Sequence, residues 1–199
     1  MAHAFKRETL LAAFDQVAEA AIAANTRLDI AIFGGSALVL ASNFRFATED
    51  VDVAVLGEPW PAWLHQAVEH VAAENGWSDT WFNDAVSFHL SAAAQANRDL
   101  VQWRTFPRTL GQVGLTVFLP TPEYMFALKL KASRVSDFTK GTLNLLRVLH
   151  ITDVEQAIAV LAKYFPNSAA HADKERFVVR YLLAQETPDH APRYPGGDC

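Results

Sequence analysis

"IFGGSALVLASNFRFATEDVDVAV", residues 32–55, contains the pattern that decides the fold of this chain. An apolar run ends in two glycines and a serine, and a second apolar run carries Asp50 and Asp52 on either side of Val51. Residues i and i+2 of a strand point to the same face, so a strand at 51–56 would bring two carboxylates together. Adjacent like charges destabilise a sheet. The pair therefore indicates a cation site, with capping acids at an exposed strand edge as the alternative.

The composition is that of an ordinary globular protein, with 51% hydrophobic and 20% charged residues in a 199-residue chain. The net charge of −5 argues against nucleic-acid binding through overall basic charge, although a local basic patch stays open. The one cysteine, at position 199, excludes a disulfide framework within the chain and favours a cytoplasmic location. Apolar runs fall far short of the roughly 20 residues of a spanning helix, so we expect no membrane segment.

The first 120 residues show hydrophobic patterns of alternating helices and strands, interrupted by turn residues. The stretch 77–97 is the hardest to assign and is interpreted as a turn followed by a helix. The strands of the last pair are expected to be joined in a hairpin-like way at Leu110-Gly111. The predicted elements are a helix at 7–25, a strand at 28–33, a short helix from Ser36, a strand at 51–56, a helix at 62–75 and strands at 100–106 and 115–119.

Beyond Pro120 the patterns predict helices only. Thr121 is expected to cap the first of them, with Pro122 at its first position. Thr152 is expected to cap the third, because Glu155 follows at capping-box spacing. The helices after the first are predicted at 138–149, 152–164 and 172–185.

The predicted fold class is therefore α+β, with a mixed α/β sheet flanked by helices and followed by a helical C-terminal subdomain. We expect an α/β domain at 1–120 and a helical subdomain at 121–186. Residues 187–199 are rich in Pro, Gly and Asp and are expected to form a flexible tail.

The opening stretch resembles the signature of the DNA-polymerase-β-like nucleotidyltransferase superfamily. In that superfamily one strand ends in Gly-Gly or Gly-Ser and the next carries Asp-apolar-Asp; here thirteen residues separate Ser36 from Asp50. Arg45 and Thr48 resemble the Arg-x-x-Thr-x-Asp-x-Asp variant of bacterial nucleotidyltransferase-like proteins close to the abortive-infection AbiEii toxins. The resemblance implies a nucleotidyltransferase-type fold and transfer of a nucleoside monophosphate.

Later blocks extend the resemblance over roughly residues 25–166. WFNDAV at 81–86, LPTPEYMFALKLKASRVSD at 119–137 and ITDVEQAIAVLAKYFP at 151–166 resemble, in the same order, blocks of one uncharacterised branch. Lys129 is thereby similar to the family's active-site lysine, against the alternative of a solvated helix face. Asp137 is similar to an acid that joins the active site from the helical region, against the alternative of a helix cap.

The chemistry of nucleotidyl transfer agrees with this assignment. Two carboxylates, Asp50 and Asp52, suit Mg²⁺, with Mn²⁺ as the alternative cofactor. Two glycines, Gly34 and Gly35, would let backbone amides approach a triphosphate at the positive end of a helix, unless they form an ordinary strand-to-helix turn.

Two side chains in the same stretch suit phosphate. Ser36 can donate a hydroxyl hydrogen bond, although a capping serine needs no ligand. Arg45 presents a fork that matches phosphate oxygens, although it can equally be a surface residue paired with Glu49.

The sequence departs from the family pattern in one respect: catalytic members of the superfamily usually carry a third acidic residue on a later strand. Strands 100–106 and 115–119 carry none, which leaves Asp84, Asp99 or Asp137. The seven histidines show no zinc-ligand spacing.

The expected function is Mg²⁺-dependent transfer of a nucleoside monophosphate from an NTP to a hydroxyl of a tRNA, a protein or a small molecule. One alternative is a catalytically degenerate module that binds nucleotide or RNA. The other is a toxin–antitoxin component that acts through a protein partner, and a cognate antitoxin is an expected partner of a toxin-like protein.

Overall fold

The computed structural model describes residues 4–57, 59–109, 111–132, 140–185 and 190–195, and these residues form a mixed α+β fold as predicted. The strands are β1 (Leu28–Ile32), β2 (Val51–Val55), β3 (Phe82–Asn83), β4 (Leu100–Phe106) and β5 (Leu115–Pro120). The helices are α1 (Arg7–Ala23), α2 (Gly34–Ala41), α3 (Ala62–Asn75), α4 (Ala96–Asp99), α5 (Pro122–Ala132), α6 (Lys140–Val148), α7 (Val154–Tyr164), α8 (Pro166–Ala169) and α9 (Asp173–Leu183), with a 3₁₀ helix at Ala85–His89. In the part of the chain so described, no helix combines the length and apolarity needed to span a membrane.

The sheet has the strand order β3-β2-β1-β5-β4, which makes β1 its central strand. β1 runs antiparallel to β2, with Ile32 opposite Val53, and parallel to β5, with Leu28 opposite Leu115. A central strand is covered on both faces, which explains why β1 has a nearly continuous apolar sequence rather than an alternating one. β4 pairs antiparallel with β5, as the sequence predicts.

The chain turns from β1 into α2 more sharply than predicted. The helix begins at Gly34 rather than near Ser36, and the residue before it, Phe33, is extended. Gly34 has a φ of +63°, a conformation that costs glycine little, so the turn is completed within one residue. The hydroxyl of Ser36 donates to the carbonyl of Phe33 at 2.8 Å and holds this turn from inside.

The interpretation of 77–97 as a turn and a helix is wrong. The segment forms β3, the 3₁₀ helix and the start of α4, and β3 lies parallel to β2 at the edge of the sheet. Trp81 anchors it: the side chain is buried and its indole N–H donates to the carbonyl of Val68 at 3.1 Å. A two-residue strand is too short to produce a periodic pattern, so local sequence could not reveal it.

The helical half follows the prediction closely, with two differences. Thr121 caps α5 as predicted, because its hydroxyl oxygen accepts a hydrogen bond from the Tyr124 amide at 3.4 Å. The cap of α7 is Asp153 and not Thr152, because the Asp153 carboxylate accepts from the Gln156 amide at 2.9 Å. The short helix α8 was not predicted.

The buried apolar side chains of both predicted domains belong to one cluster, in which the ring of Phe33 lies 6.2 Å from that of Tyr124. Residues 190–195 fall in the tail that we expected to be loose, but they pack against the rest of the protein. Tyr194 is 4% exposed and its hydroxyl donates to the carbonyl of Pro120 at 3.1 Å. The amide of Asn43 also donates to the Ala191 carbonyl at 3.0 Å.

Candidate functional site

A cavity of about 320 Å³ lies where α2 begins, and three elements bring predicted site residues to it. Gly34 comes from the start of α2, Asp52 from β2 and Lys129 from α5. The remaining wall is mostly apolar and comes from the β1–α2 turn, the 3₁₀ helix and α5. It consists of Phe33, Ala85, Val86, His89, Met125, Leu128 and Ala132.

Asp52 is the charged residue on which the site is built. Its strand neighbours Val51 and Val53 are fully buried on the other face of the sheet, so the alternation of β2 directs Asp52 toward the cavity. Burial, reinforced by the charge of Asp50, raises the pKa of Asp52, while the charges of Lys129 and His89 oppose that rise. No hydrogen bond or ion pair from the described residues engages its carboxylate. Asp52 is thus a partly buried carboxylate whose charged form lacks a direct partner.

Asp50 lies immediately before β2 and is exposed. Its carbonyl accepts a hydrogen bond from the hydroxyl of Thr48 at 3.2 Å. Thr48 also forms an isolated antiparallel β-bridge with Phe5, so these bonds hold the backbone just before β2 in place. The charge of Asp50 contributes to the raised pKa of Asp52, but Asp50 precedes the strand and is not among the described residues that line the cavity.

The two carboxylates are a donor set that fits Mg²⁺. Magnesium prefers oxygen ligands and is usually held by one or two carboxylates together with water and substrate phosphates. The described residues contain no group of three or more His, Cys, Asp or Glu side chains able to hold a metal ion. A cation at Asp50 and Asp52 would therefore share its coordination with a ligand.

Lys129 is a cavity residue rather than part of a solvated helix face. Its stem packs beside Gly141 of α6, where an added Cβ would lie 3.6 Å from the Lys129 Cε. Burial, reinforced by the charge of Arg45, lowers the pKa of Lys129 to about 8, and Asp52 opposes this shift. Lys131, two positions on, instead places its ammonium 4.1 Å from the ring centroid of Phe165.

The two glycines are in close contact with the charged side chains of the site. A Cβ on Gly34 would lie 2.3 Å from Oδ2 of Asp52, and one on Gly35 would lie 2.8 Å from Nη2 of Arg45. The Arg45 side chain also donates from Nε to the carbonyl of Ala47 at 3.1 Å. Within the described chain Arg45 forms no ion pair with Glu49, so the surface-pair alternative does not describe its position.

Two of the predicted residues do not add side-chain function to this cavity. Ser36 is fully buried, and its hydroxyl proton is used in the turn described above. Asp84 is exposed and precedes the 3₁₀ helix. Asp137 lies outside the described residues.

Asp99 belongs to a different part of the molecule. It is 1% exposed and accepts from the Gln95 amide at 2.7 Å and from the Tyr164 hydroxyl at 3.0 Å. Although burial opposes ionisation, hydrogen bonds from Arg98, Gln95 and Tyr164 lower the pKa of Asp99 to about 2. Asp99 therefore joins the end of α4 to α7 and is not a third acid of the cavity.

Two residues near Asp52 were missed by the sequence analysis. His89 lines the cavity, and the scattered histidines offered no spacing that would single it out. Asn83 lies directly opposite Asp52 in the register of β2 and β3. Its side chain accepts from the Ala85 amide at 3.0 Å and so shapes the 3₁₀ helix that carries His89. The two-residue strand that aligns Asn83 gives no signal of its own.

Comparisons with models of protein families, with curated proteins and with solved structures found no match to this chain. The fold and site define a mixed-sheet protein in which a helix start, a partly buried carboxylate and a partly buried lysine share one cavity. Such an arrangement is suited to a ligand that carries phosphate groups together with a divalent cation.

Proposed function

We propose that this protein is a Mg²⁺-dependent nucleotidyltransferase that moves a nucleoside monophosphate from an NTP to a hydroxyl acceptor. The observation that carries this proposal is that Asp52 and Lys129 face one cavity at the start of α2. These opposite charges form no ion pair with each other in the described structure. Opposite charges held apart in a partly buried site leave room for a cation on one side and phosphate on the other.

Each charged residue has a distinct role in this proposal. Asp50 and Asp52 would hold Mg²⁺, with Mn²⁺ as the alternative ion. When bound, the ion neutralises charge on the triphosphate. Gly34 lets the backbone come close to the ligand, and Arg45, lying against Gly35, adds a fork that fits phosphate oxygens.

The reaction needs positioning and charge neutralisation more than covalent help from the protein. The acceptor oxygen forms a bond to the α-phosphorus while the bond from that phosphorus to pyrophosphate breaks, and the hydroxyl proton passes to water. Since the pKa of Lys129 is about 8, its ammonium is mostly charged at pH 7 and can balance the negative charge on the departing pyrophosphate. Asp137 stays a predicted additional acid, and a tRNA or a protein stays a predicted acceptor.

A second candidate function is nucleotide binding without transfer. The described residues near Asp52 supply no third carboxylate, which favours this alternative over a three-acid catalytic site. Such a protein would bind nucleotide or RNA, or act through a partner such as an antitoxin.

The experiment that tests the proposal is titration calorimetry with each of the four NTPs, with and without Mg²⁺. We expect Mg²⁺-dependent binding of at least one NTP by the wild type, and its loss in the Asp50→Ala/Asp52→Ala double variant. Glu69→Ala, which removes an exposed carboxylate from α3, is the matched control and should bind as the wild type does.

The outcomes separate the two candidate functions. Absence of NTP binding in a folded wild type would refute nucleotidyl transfer and nucleotide binding, and would leave RNA or a protein partner as the ligand of the second candidate. Binding that persists in the double variant would refute the role of the two aspartates. Release of pyrophosphate from the bound NTP in the presence of acceptor, lost in Asp52→Ala, would favour transfer over binding alone.

A further inference from the structure

Two exposed phenylalanines lie next to residues of the candidate site. Phe46 is 75% exposed and Phe88 is 87% exposed, the highest fractions among the exposed large apolar side chains of the described residues. Phe46 follows Arg45, and Phe88 precedes His89. Large apolar side chains that are this exposed beside a cavity are typical of surfaces that bind a partner.

These two phenylalanines border the same charged cluster. His89 lines the cavity, and the guanidinium of Arg45 lies against Gly35, next to Gly34, which also lines the cavity. Phe46 and Phe88 are the chain neighbours of Arg45 and His89. They come from the loop before β2 and from the 3₁₀ helix, which are separate parts of the chain.

Exposed carboxylates accompany the two rings. Glu49 follows Phe46 in the same loop, and Asp84 precedes the 3₁₀ helix that carries Phe88. Two cationic groups of the cavity region are held closer to the protein, since Lys129 is partly buried and Arg45 lies against Gly35, whereas His89 is exposed. The surface around the cavity thus offers apolar rings and negative charge, which repels a polyanion and attracts a basic partner.

We propose that the surface formed by Phe46, Glu49, Asp84 and Phe88, called the rim below, docks a basic, aromatic-containing segment of a protein that supplies the acceptor hydroxyl. This inference rests on the proposed nucleotidyltransferase function and names its acceptor class. A tyrosine, serine or threonine oxygen of the docked segment forms the bond to the α-phosphorus of the NTP. Pyrophosphate leaves and the hydroxyl proton passes to water, so the product is a nucleotidylated side chain.

The test uses fluorescently labelled polymers whose binding is followed by fluorescence anisotropy. The probes are a random copolymer of lysine and tyrosine, polylysine, a copolymer of glutamate and tyrosine, and polyadenylate RNA. We expect the wild type to bind the lysine–tyrosine copolymer about tenfold more tightly than polylysine, because aromatic contacts add to charge attraction. We expect no measurable binding of the acidic copolymer or of the RNA.

The aromatic preference should depend on the rim. In a Phe46→Ser/Phe88→Ser variant the lysine–tyrosine copolymer should bind no better than polylysine, while Phe177→Ser, which alters an exposed phenylalanine of α9, should retain the tenfold difference. Both altered rings are highly exposed, so the variant should keep the wild-type circular dichroism spectrum. Glu49→Gln/Asp84→Asn should weaken binding of both basic polymers.

Each other outcome overturns the inference. The rim is not a docking surface if the wild type does not prefer the lysine–tyrosine copolymer. The same conclusion follows if the preference survives in the Phe46→Ser/Phe88→Ser variant. RNA binding that is lost in that variant would assign the rings to unpaired bases instead. Calorimetry with Mg²⁺ and NTP on the same preparations separates the two failures: NTP binding without copolymer binding refutes this inference alone, and absence of NTP binding refutes the proposed function with it.

Discussion

Asp52 and Asp99 are both shielded from bulk water, at least in part, but their surroundings shift the pKa values of the two carboxyl groups in opposite directions. Asp99 accepts hydrogen bonds from Arg98, Gln95 and Tyr164, and its pKa falls to about 2. Asp52 receives no such bonds from the described residues, and burial raises its pKa. A carboxylate that the protein satisfies contributes to stability, whereas one that is left partly buried without a partner indicates a ligand that is not part of the chain.

The largest expected effect is the loss of stability on substitution of Asp99, and it tests the difference between the two aspartates directly. Asp99→Ala should lower the free energy of unfolding by about 3 kcal/mol, because it leaves the Tyr164 hydroxyl and the Gln95 amide without their acceptor. Urea denaturation measures this loss. The exposed Glu69→Ala should stay within about 0.5 kcal/mol of the wild type. A loss below about 1 kcal/mol for Asp99→Ala would mean that the Asp99 network is not structural.

An intermediate effect is expected at Gly34, whose missing Cβ leaves space for the Asp52 carboxylate. Gly76 is the matched control, because it has a similar φ, +67° against +63°, and open space around its Cβ position. Gly76→Ala should cost about 1 kcal/mol from backbone strain alone. Gly34→Ala should cost about 1–2 kcal/mol more in urea denaturation, because its Cβ meets Oδ2 of Asp52.

A double-mutant cycle identifies the source of that extra cost. In an Asp52→Ala background the Gly34→Ala change should cost about the same as Gly76→Ala. If Gly34→Ala and Gly76→Ala lowered the free energy of unfolding equally in the wild-type background, Asp52 would be able to move aside freely. The close contact between Gly34 and Asp52 would then not contribute to the cost of the substitution.

The smallest expected effect is on the pH dependence of stability. As the pH falls, the contribution of Asp99 to the free energy of unfolding should decrease, whereas the contribution of Asp52 should increase. With a folded pKa of about 2 and an ordinary value of 3.8, Asp99 contributes stability above pH 3.8 that is lost as the pH falls toward 2. Asp52 has a raised folded pKa, so its charge costs stability at neutral pH, and that cost disappears as the pH falls through the folded pKa.

Unfolding curves of Asp99→Asn and Asp52→Asn between pH 7 and pH 2 measure these trends. Relative to the wild type, Asp99→Asn should be less stable at pH 7 and should approach it on acidification. Asp52→Asn should be as stable as the wild type or up to about 1 kcal/mol more stable at pH 7, and its advantage should vanish at low pH. Trends of the same sign in both variants would remove the distinction between the two residues.

The sequence allowed prediction of what depends on local patterns. The β1–α2–β2 unit, the positions of Asp50 and Asp52 and most helices follow from apolar runs, glycines and caps, and the structure has them within a few residues. What depends on tertiary contacts was not predictable. β3 exists because Trp81 is anchored to α3 and β2 offers an open edge, so neither Asn83 nor His89 could be placed beside Asp52 from the sequence.

The position of β1 in the sheet has a consequence for how the protein folds. β2 follows β1 closely in the chain, but β5 joins the other edge of β1 only after a long excursion. The hydrogen bond from Arg27 to Thr116 at this edge joins residues 89 positions apart. Until that contact closes, an apolar strand presents an unpaired edge, so folding should be slow for this size, and overproduction at high temperature should favour aggregation through β1.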